Sequence, residues 1–408
     1  MKSIRINNKL QDDALLISKE ARIAKNLDNS VVDATLGTFY FEDGSFHTFD
    51  VIRNELKSLS DEELFLYSPS NGGDTFKESA YEFVFSKYKD QFPSFSKECM
   101  ATPGGTGAIS ASIEVACDYG ESVLIPYPCW GPYFGICKER GLNTITFDLF
   151  DGYNFSLDDF KKKALILQEK QNKVVFILND PCNNPTGYTL SNEELKDLID
   201  FLNTLSCSVV LIYDCAYIDM VMNHTDSSRE KLTLFKNLND NIILNICFSF
   251  SKTCLIFGER LGGLIILSKN SDIVHKFYDA SCFYARNTWS NCNKGMISLI
   301  NNIYHDNVKI QKLKDELYNV QELLSKRSNI FIDEAGDCGL KHYPYMGGFF
   351  IAIPVKDNKT IFRKLIEEEK IYSLPVCNSI RIAICSLNCM QIHGLPRKIK
   401  KIIDKYDK

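Results

Sequence analysis

The stretch Ile242-Ile243-Leu244-Asn245-Ile246-Cys247-Phe248 leads directly into Ser249-Phe250-Ser251-Lys252. It is rich in β-branched and aliphatic residues and lacks polar alternation, the pattern of a strand covered on both faces. Comparable runs occupy 122–125, 143–148, 174–179, 208–213 and 263–267. Helical patterns fill several of the gaps between them. One covers 190–205, where Ser191 can cap and Glu194 follows three residues later as a capping box. Another covers 156–170, with Ser156 as the expected cap. Alternation of strand and helix over roughly 55–310 predicts an α/β domain on a largely parallel sheet. The run 263–267 is the candidate antiparallel member, because it follows a short connection through Gly262 and Gly263. After a polar helix near 307–326 the pattern changes. Residues 348–355 and 379–385 read as strands, and 359–370 and 396–406 as helices. They predict a smaller α+β domain that also takes in part of the first fifty residues.

The chain of 408 residues is 45% hydrophobic and 24% charged, an ordinary globular mixture long enough for two domains. Its net charge of −5, without a basic block, argues against a nucleic-acid or anionic-membrane partner. The most apolar stretch, 209–222, is interrupted by Asp214 and Asp219, which would be costly in a bilayer. The fifteen cysteines are scattered and form no C-x-x-C, and the six histidines do not pair at metal-ligand spacing. Neither a disulfide framework nor a metal site is expected, and the polar start MKSIRINNKLQDD does not read as a signal peptide. These features predict a soluble cytoplasmic protein whose cysteines are small apolar fillers.

Four motifs carry chemistry. A lysine ending a strand ordinarily extends its charge into solvent. Held inside, Lys252 would lose charge to burial and offer the neutral amine that carbonyl chemistry needs. Tyr213-Asp214-Cys215-Ala216-Tyr217 closes another apolar run, and ligands of parallel sheets gather outside such carboxyl ends. A carboxylate there either caps the next helix or pairs with a protonated pyridine nitrogen, keeping that ring an electron sink. Asp180-Pro181-Cys182-Asn183-Asn184-Pro185-Thr186-Gly187 also follows a strand. Its prolines and glycine make a stiff turn that fixes the Asn184 amide, which can donate to a phenolate oxygen. Thr102-Pro103-Gly104-Gly105-Thr106-Gly107-Ala108 opens an apolar helix, where glycines admit a phosphate to the helix N-terminal amides. Singly, each is a common turn or cap.

Together, Asn184-Pro185-Thr186-Gly187, Asp214-Cys215-Ala216-Tyr217, Ser249-Phe250-Ser251-Lys252 and Gly258-Glu259-Arg260-Leu261-Gly262 resemble the class I aminotransferases, the fold-type I pyridoxal-phosphate enzymes. Order and spacing agree from about residue 33 to 387. The resemblance implies a large domain over 51–315 with a mostly parallel, seven-stranded-type sheet flanked by helices. It implies a small α+β domain from 15–50 and 316–408, and an N-terminal arm at 1–14. It implies pyridoxal 5'-phosphate bound to Lys252 as a Schiff base, with Lys252 also shuttling the substrate's α-proton. Asp214 would hold the pyridine nitrogen, and Asn184 and Tyr217 the ring oxygen. Gly105, Thr106, Ser249, Ser251 and Arg260 would cradle the phosphate, with Arg260 gripping it through its fork. Trp130 would stack on the ring. Tyr67 would reach the phosphate of the partner subunit in a homodimer with shared active sites. Arg381, inside an apolar strand, demands an anionic partner. The resemblance makes that partner the substrate α-carboxylate, over which the segment at Gly37 closes.

Arg286, thirty-four residues beyond Lys252, resembles an arginine of the aspartate and aromatic branch that reads the distal carboxylate from the neighbouring subunit. The implied reaction moves an amino group from an L-amino acid, aspartate or aromatic favoured, to a 2-oxo acid such as 2-oxoglutarate. Five positions depart from that branch. Gly104 stands in place of a phosphate-binding serine, and Tyr133 in place of a histidine behind the pyridine aspartate. Asn183 replaces a second histidine, and Cys292-Asn293 a proline pair. The same motifs would also serve a lyase or decarboxylase on this scaffold. A non-catalytic aminotransferase-like regulator is disfavoured by the intact lysine.

Overall fold

A computed structural model describes residues 13–222 and 227–407. Most of the arm expected at 1–14 therefore lies outside the described residues. The central strands are β1 (Ser96–Thr102), β2 (Ser122–Tyr127), β3 (Asn143–Asp148), β4 (Lys173–Asn179), β5 (Ser208–Asp214), β6 (Ile242–Ser249) and β7 (Gly262–Ser268). They form one seven-stranded sheet in the order β1-β7-β6-β5-β4-β2-β3. Only β7 runs against the others, antiparallel to both β1 and β6. This is the mostly parallel, helix-flanked α/β sheet expected from the apolar runs, with its exception at the expected strand.

The missing alternation has a direct cause. Val174, Phe176, Val209, Leu211 and Leu244 enter the core on one face, while Val175, Ile177, Val210, Ile212 and Ile243 enter the core on the other. Each such side chain contributes about 1.5–3 kcal/mol on burial, so both faces must be apolar. Strand β1 escaped the sequence reading because Lys97 and Glu98 interrupt it at the sheet edge, where Glu98 pairs with Lys77 at 2.6 Å.

Helix Asn192–Leu202 starts with the expected capping box between Ser191 and Glu194. The cap expected from Ser156 is absent: helix Leu157–Gln171 has no side-chain cap bond. Its first-turn Asp159 instead accepts from the Asp148 backbone amide at 2.9 Å. The polar helix expected to end near 326 continues as Asn307–Cys338. Its extra turns are tethered by Arg327, whose guanidinium is fully buried. That group donates to Glu42 at 2.7 Å, to Tyr40 O at 2.8 Å and to Cys385 O at 3.0 Å. A charged residue just beyond the expected helix end is thus a buried tie to the N-terminal segment.

The second sheet has three antiparallel strands, β8 (Phe350–Pro354), β9 (Leu374–Val376) and β10 (Ser379–Ala383), in the order β8-β10-β9. The N-terminal segment joins this part through the parallel pairing of Val32–Asp33 with Ile371–Tyr372. Helix Asn307–Cys338 runs unbroken through residues 315 and 316.

Candidate active site

The carboxyl ends of β1, β4, β5 and β6 point to one side of the sheet, and each leads into a motif singled out above. Register explains why they meet. Gly262, the first residue of β7, pairs with Thr102 on β1 and with Ser249 on β6. A Cβ on Gly262 would lie 2.4 Å from Phe248 O and 2.7 Å from the Gly104 carbonyl carbon. Only glycine permits this approach, which sets the N-terminus of helix Gly104–Ala116 beside the turn carrying Lys252.

That helix has no side-chain cap, so its first amides remain open to an anion. Gly105 packs against Ser249, and Thr106 is exposed in the first turn. Arg260 donates to Ser251 Oγ at 3.2 Å and to Phe257 O at 2.9 Å, with its backbone at φ 54°. Gly104 has φ 70°, and a Cβ there would meet Arg260 Nη2 at 2.5 Å. The departure at 104 therefore has a spatial reason: the Arg260 guanidinium occupies the volume a serine would need.

Lys252 is mostly buried, and its Nζ lies 5.8 Å from the Tyr217 ring centroid. Burial pulls its amine down to about 8, the Arg260 charge adds to the effect, and the Asp214 carboxylate opposes it. Asp214 is itself buried, which raises its pKa against hydrogen bonds from Tyr133 and the Ala216 amide. Tyr133 Oη donates to Asp214 Oδ2 at 2.5 Å, and the Ala216 amide to Oδ1 at 3.2 Å. Tyr133, read from sequence only as a departure, thus remains a donor to the carboxylate. It also packs edge-on against Trp130, ring centroids 5.3 Å apart.

The Asn184 turn is built on a buried network. Asp180 Oδ2 takes Tyr213 Oη at 2.5 Å and pairs with Lys231 Nζ at 2.6 Å. The Asn184 backbone N–H donates to Asn179 Oδ1 at 2.7 Å. Asn183, another departure, accepts from Thr186 Oγ1 at 2.9 Å and stiffens the same turn. Asn293 accepts from the Met296 amide and caps the helix that follows.

Arg381 projects from the small sheet to meet this turn. It donates to Asn184 Oδ1 at 3.2 Å and to Thr35 O at 2.8 Å, and lies 3.9 Å above the Phe350 ring. Burial lowers its pKa to about 10. Its Nε is buried without a hydrogen-bond partner, the mark of a cation built to receive an anion. Phe350 and the Asp180–Lys231 pair gave no signal in the sequence beyond apolar and polar patterning. Gly37 lies against Phe350, where a Cβ would come within 2.5 Å of the ring.

Two expected site residues stand apart. Tyr67 is 91% exposed, and Arg286 is exposed with Nη1 donating to Ser290 Oγ at 2.6 Å. The carboxyl edge of the sheet thus brings together a buried carboxylate, a depressed lysine amine and an uncapped helix N-terminus beside Arg260, with a second buried cation hydrogen-bonded to Asn184. A phosphate-bearing aldehyde on a basic aromatic ring fits this donor set. Among the described residues there is no cluster of metal ligands and no helix long and apolar enough to cross a membrane.

Residues 30–399 match the family model of aminotransferases class I and II. The chain is 27% identical over 280 residues to the mitochondrial aspartate aminotransferase of Saccharomyces cerevisiae, covering 63% of this chain and 61% of that one. It is 24% identical over 268 residues to the cytoplasmic aspartate aminotransferase of Caenorhabditis elegans, covering 64% of each. The match thus spans less than two thirds of either relative. An aminotransferase from Anaerococcus prevotii is similar in structure over the full length of both chains, with a TM-score of 0.93 and 27% identity.

Proposed function

Because the chain belongs to the class I and II aminotransferase family, whose members use pyridoxal phosphate, we propose that it transfers the amino group of an L-amino acid to a 2-oxo acid by a ping-pong cycle. Aspartate or an aromatic amino acid is the favoured donor, and 2-oxoglutarate the acceptor. The observation that carries the reading is Lys252, a mostly buried amine at the carboxyl edge of the sheet, lowered to about 8 by burial and the Arg260 charge against the Asp214 carboxylate. The cofactor, when bound, supplies an aldehyde for an amine and an electron-withdrawing pyridine ring.

In this reading, Lys252 holds the cofactor and moves the α-proton, because a neutral amine near pH 8 can both accept and return it. Asp214 holds the pyridine nitrogen from a dry site, where opposite charges interact strongly. Gly105, Thr106, Ser249, Ser251 and Arg260 hold the phosphate, and Trp130 stacks on the ring. Asn184 and Tyr217 orient the ring oxygen. Arg381 takes the substrate α-carboxylate, with Gly37 lining its approach. The exposure of Phe65, Leu66 and Tyr67, at 76%, 61% and 91%, supports a homodimer in which Tyr67 and Arg286 complete the partner's site. All fifteen cysteines are free thiols, which suits a reducing cytoplasm.

Tyr133→Phe tests the Asp214 assignment. Loss of a hydrogen bond to a charged group costs about 1.5–3 kcal/mol, so pyridoxal phosphate should bind roughly 10–100-fold more weakly. KM for the amino donor should be nearly unchanged. Unaltered cofactor affinity by absorbance titration would remove Tyr133 from this role.

A donor panel with 2-oxoglutarate, run on the wild type and Arg286→Ala, tests the substrate. Keto acid should appear only when the acceptor is present; acceptor-independent release would point to a lyase. Dicarboxylate donors should lose about 10–100-fold in kcat/KM with Arg286→Ala while aromatic donors change little, since the lost contact is a charge pair. Equal losses for both classes would sink the distal-carboxylate role.

A further inference from the structure

We propose that Cys129 and Cys377 form a redox pair that hydroperoxides oxidise to a disulfide, tying the β9–β10 hairpin to the Trp130 loop. Most of the cysteines are sealed in the cores. Cys377 is only half-buried, at φ 54° in the turn between β9 and β10, beside the exposed Asn378. Its sulfur lies 3.7 Å from the Cys129 carbonyl oxygen and is within hydrogen-bonding reach of the Cys129 thiol. Cys129 is buried and immediately precedes Trp130, and Cys377 lies four residues before Arg381. The pair joins segments 248 residues apart in sequence. It bridges the part of the molecule that holds Lys252 and the part that holds Arg381.

The environment makes Cys377 the attacking sulfur. Cys377 is the accessible member of the pair, half-buried where Cys129 is sealed. Hydrogen bonds from the Cys129 thiol and the Tyr127 hydroxyl lower its pKa against the opposing effect of burial. Buried thiols elsewhere move the other way, Cys182 and Cys385 both to about 12. Thiolate character and access select the cysteine that reacts with peroxide. With hydrogen peroxide, the Cys377 thiolate attacks one oxygen, the O–O bond breaks, and the leaving hydroxide takes up a proton to give water. Cys377 is then a sulfenic acid. The Cys129 sulfur attacks it, the S–S bond forms, the S–O bond breaks, and the departing hydroxide takes the Cys129 proton as a second water. Two thiols have lost two electrons and two protons, and one peroxide has been reduced to two waters. The resulting tether fixes the hairpin carrying Arg381 against the Trp130 loop and opposes movement of the small sheet during substrate entry and release.

The test uses the purified full-length protein with its cofactor, treated with a small molar excess of hydrogen peroxide, alkylated and digested. The wild type should lose the mass of two hydrogen atoms and yield a linked peptide containing Cys129 and Cys377. Dithiothreitol should reverse both changes. Cys377→Ser and Cys129→Ala should each abolish the linked peptide. Wild-type turnover should fall several-fold on oxidation and recover on reduction, while Cys377→Ser stays active throughout. Absence of the linked peptide, linkage through other cysteines, or over-oxidation of Cys377 with Cys129 still free would each overturn the pairing. A complete disulfide with unchanged turnover would overturn the tether. The peptide readout is independent of donor identity, so its failure is separable from failure of the proposed reaction.

Discussion

Lys252→Ala should lower turnover by at least about 10³-fold, the scale of a positioned acid–base group, and should abolish the visible absorbance of lysine-bound cofactor. The argument rests on position. Lys252 is the amine set beside Asp214 and Arg260 at the carboxyl edge of the sheet, with its charge disfavoured by burial. Persistence of the absorbance band in the variant would transfer the attachment to another residue. The same depression sets a pH dependence in the cofactor-free protein. Below about 8 the neutral fraction falls tenfold per pH unit. Capture of the cofactor aldehyde should therefore accelerate as pH rises to about 8 and then level off. For stability the sign is also fixed. The folded pKa lies below the unfolded one, so between them the unfolded chain binds more protons. The destabilising contribution of Lys252 is fully present below about 8 and relieved as pH rises towards the ordinary lysine value. Stopped-flow capture rates that fall between pH 6 and 8 would contradict this assignment.

Arg381→Met should separate binding from stability. The guanidinium is buried, its Nε is unpartnered, and its hydrogen-bond acceptors are the neutral Asn184 Oδ1 and Thr35 O. Its packing surface is the Phe350 ring. Keeping a cation there without an anion is costly, and an apolar residue of similar volume is often neutral or stabilising in such a place. The variant's thermal midpoint should match or exceed that of the wild type. Removing one partner of a buried charge pair costs about 2–5 kcal/mol, so KM for amino and 2-oxo acids should rise by roughly 30-fold or more. A variant that unfolds at lower temperature yet keeps its KM would show that Arg381 serves the fold rather than the carboxylate.

The strands β4, β5 and β6 were legible because both of their faces are buried, and that condition writes itself into consecutive residues. The cap at Ser191 was legible because its partner Glu194 is three residues away. The cap expected at Ser156 failed because its backbone, at φ −80° and ψ 71°, leaves the extended region of a capping residue. Strand β1 was missed because Lys97 and Glu98 interrupt its apolar run, Glu98 being paired with the distant Lys77. Arg327 lies just past the expected end of the polar helix and carried no local signal, because its partners Glu42, Tyr40 and Cys385 are all distant in sequence.

By itself the sequence determined the α/β class and the order of the chemical motifs. It also placed Lys252, Asp214 and Asn184 where strands end, because strand period, turn chemistry and capping act over a few neighbouring residues. Tertiary structure alone decided that Tyr133 takes over the support of Asp214 and that Arg260 fills the space above Gly104. It also decided that Phe350 underlies Arg381, and that Cys377 sits on Cys129. Each of these pairs residues far apart in the chain, brought together by strand order and register within a sheet or, for Cys377 and Cys129, by contact between the small sheet and the Trp130 loop, rather than by any pattern either residue carries locally.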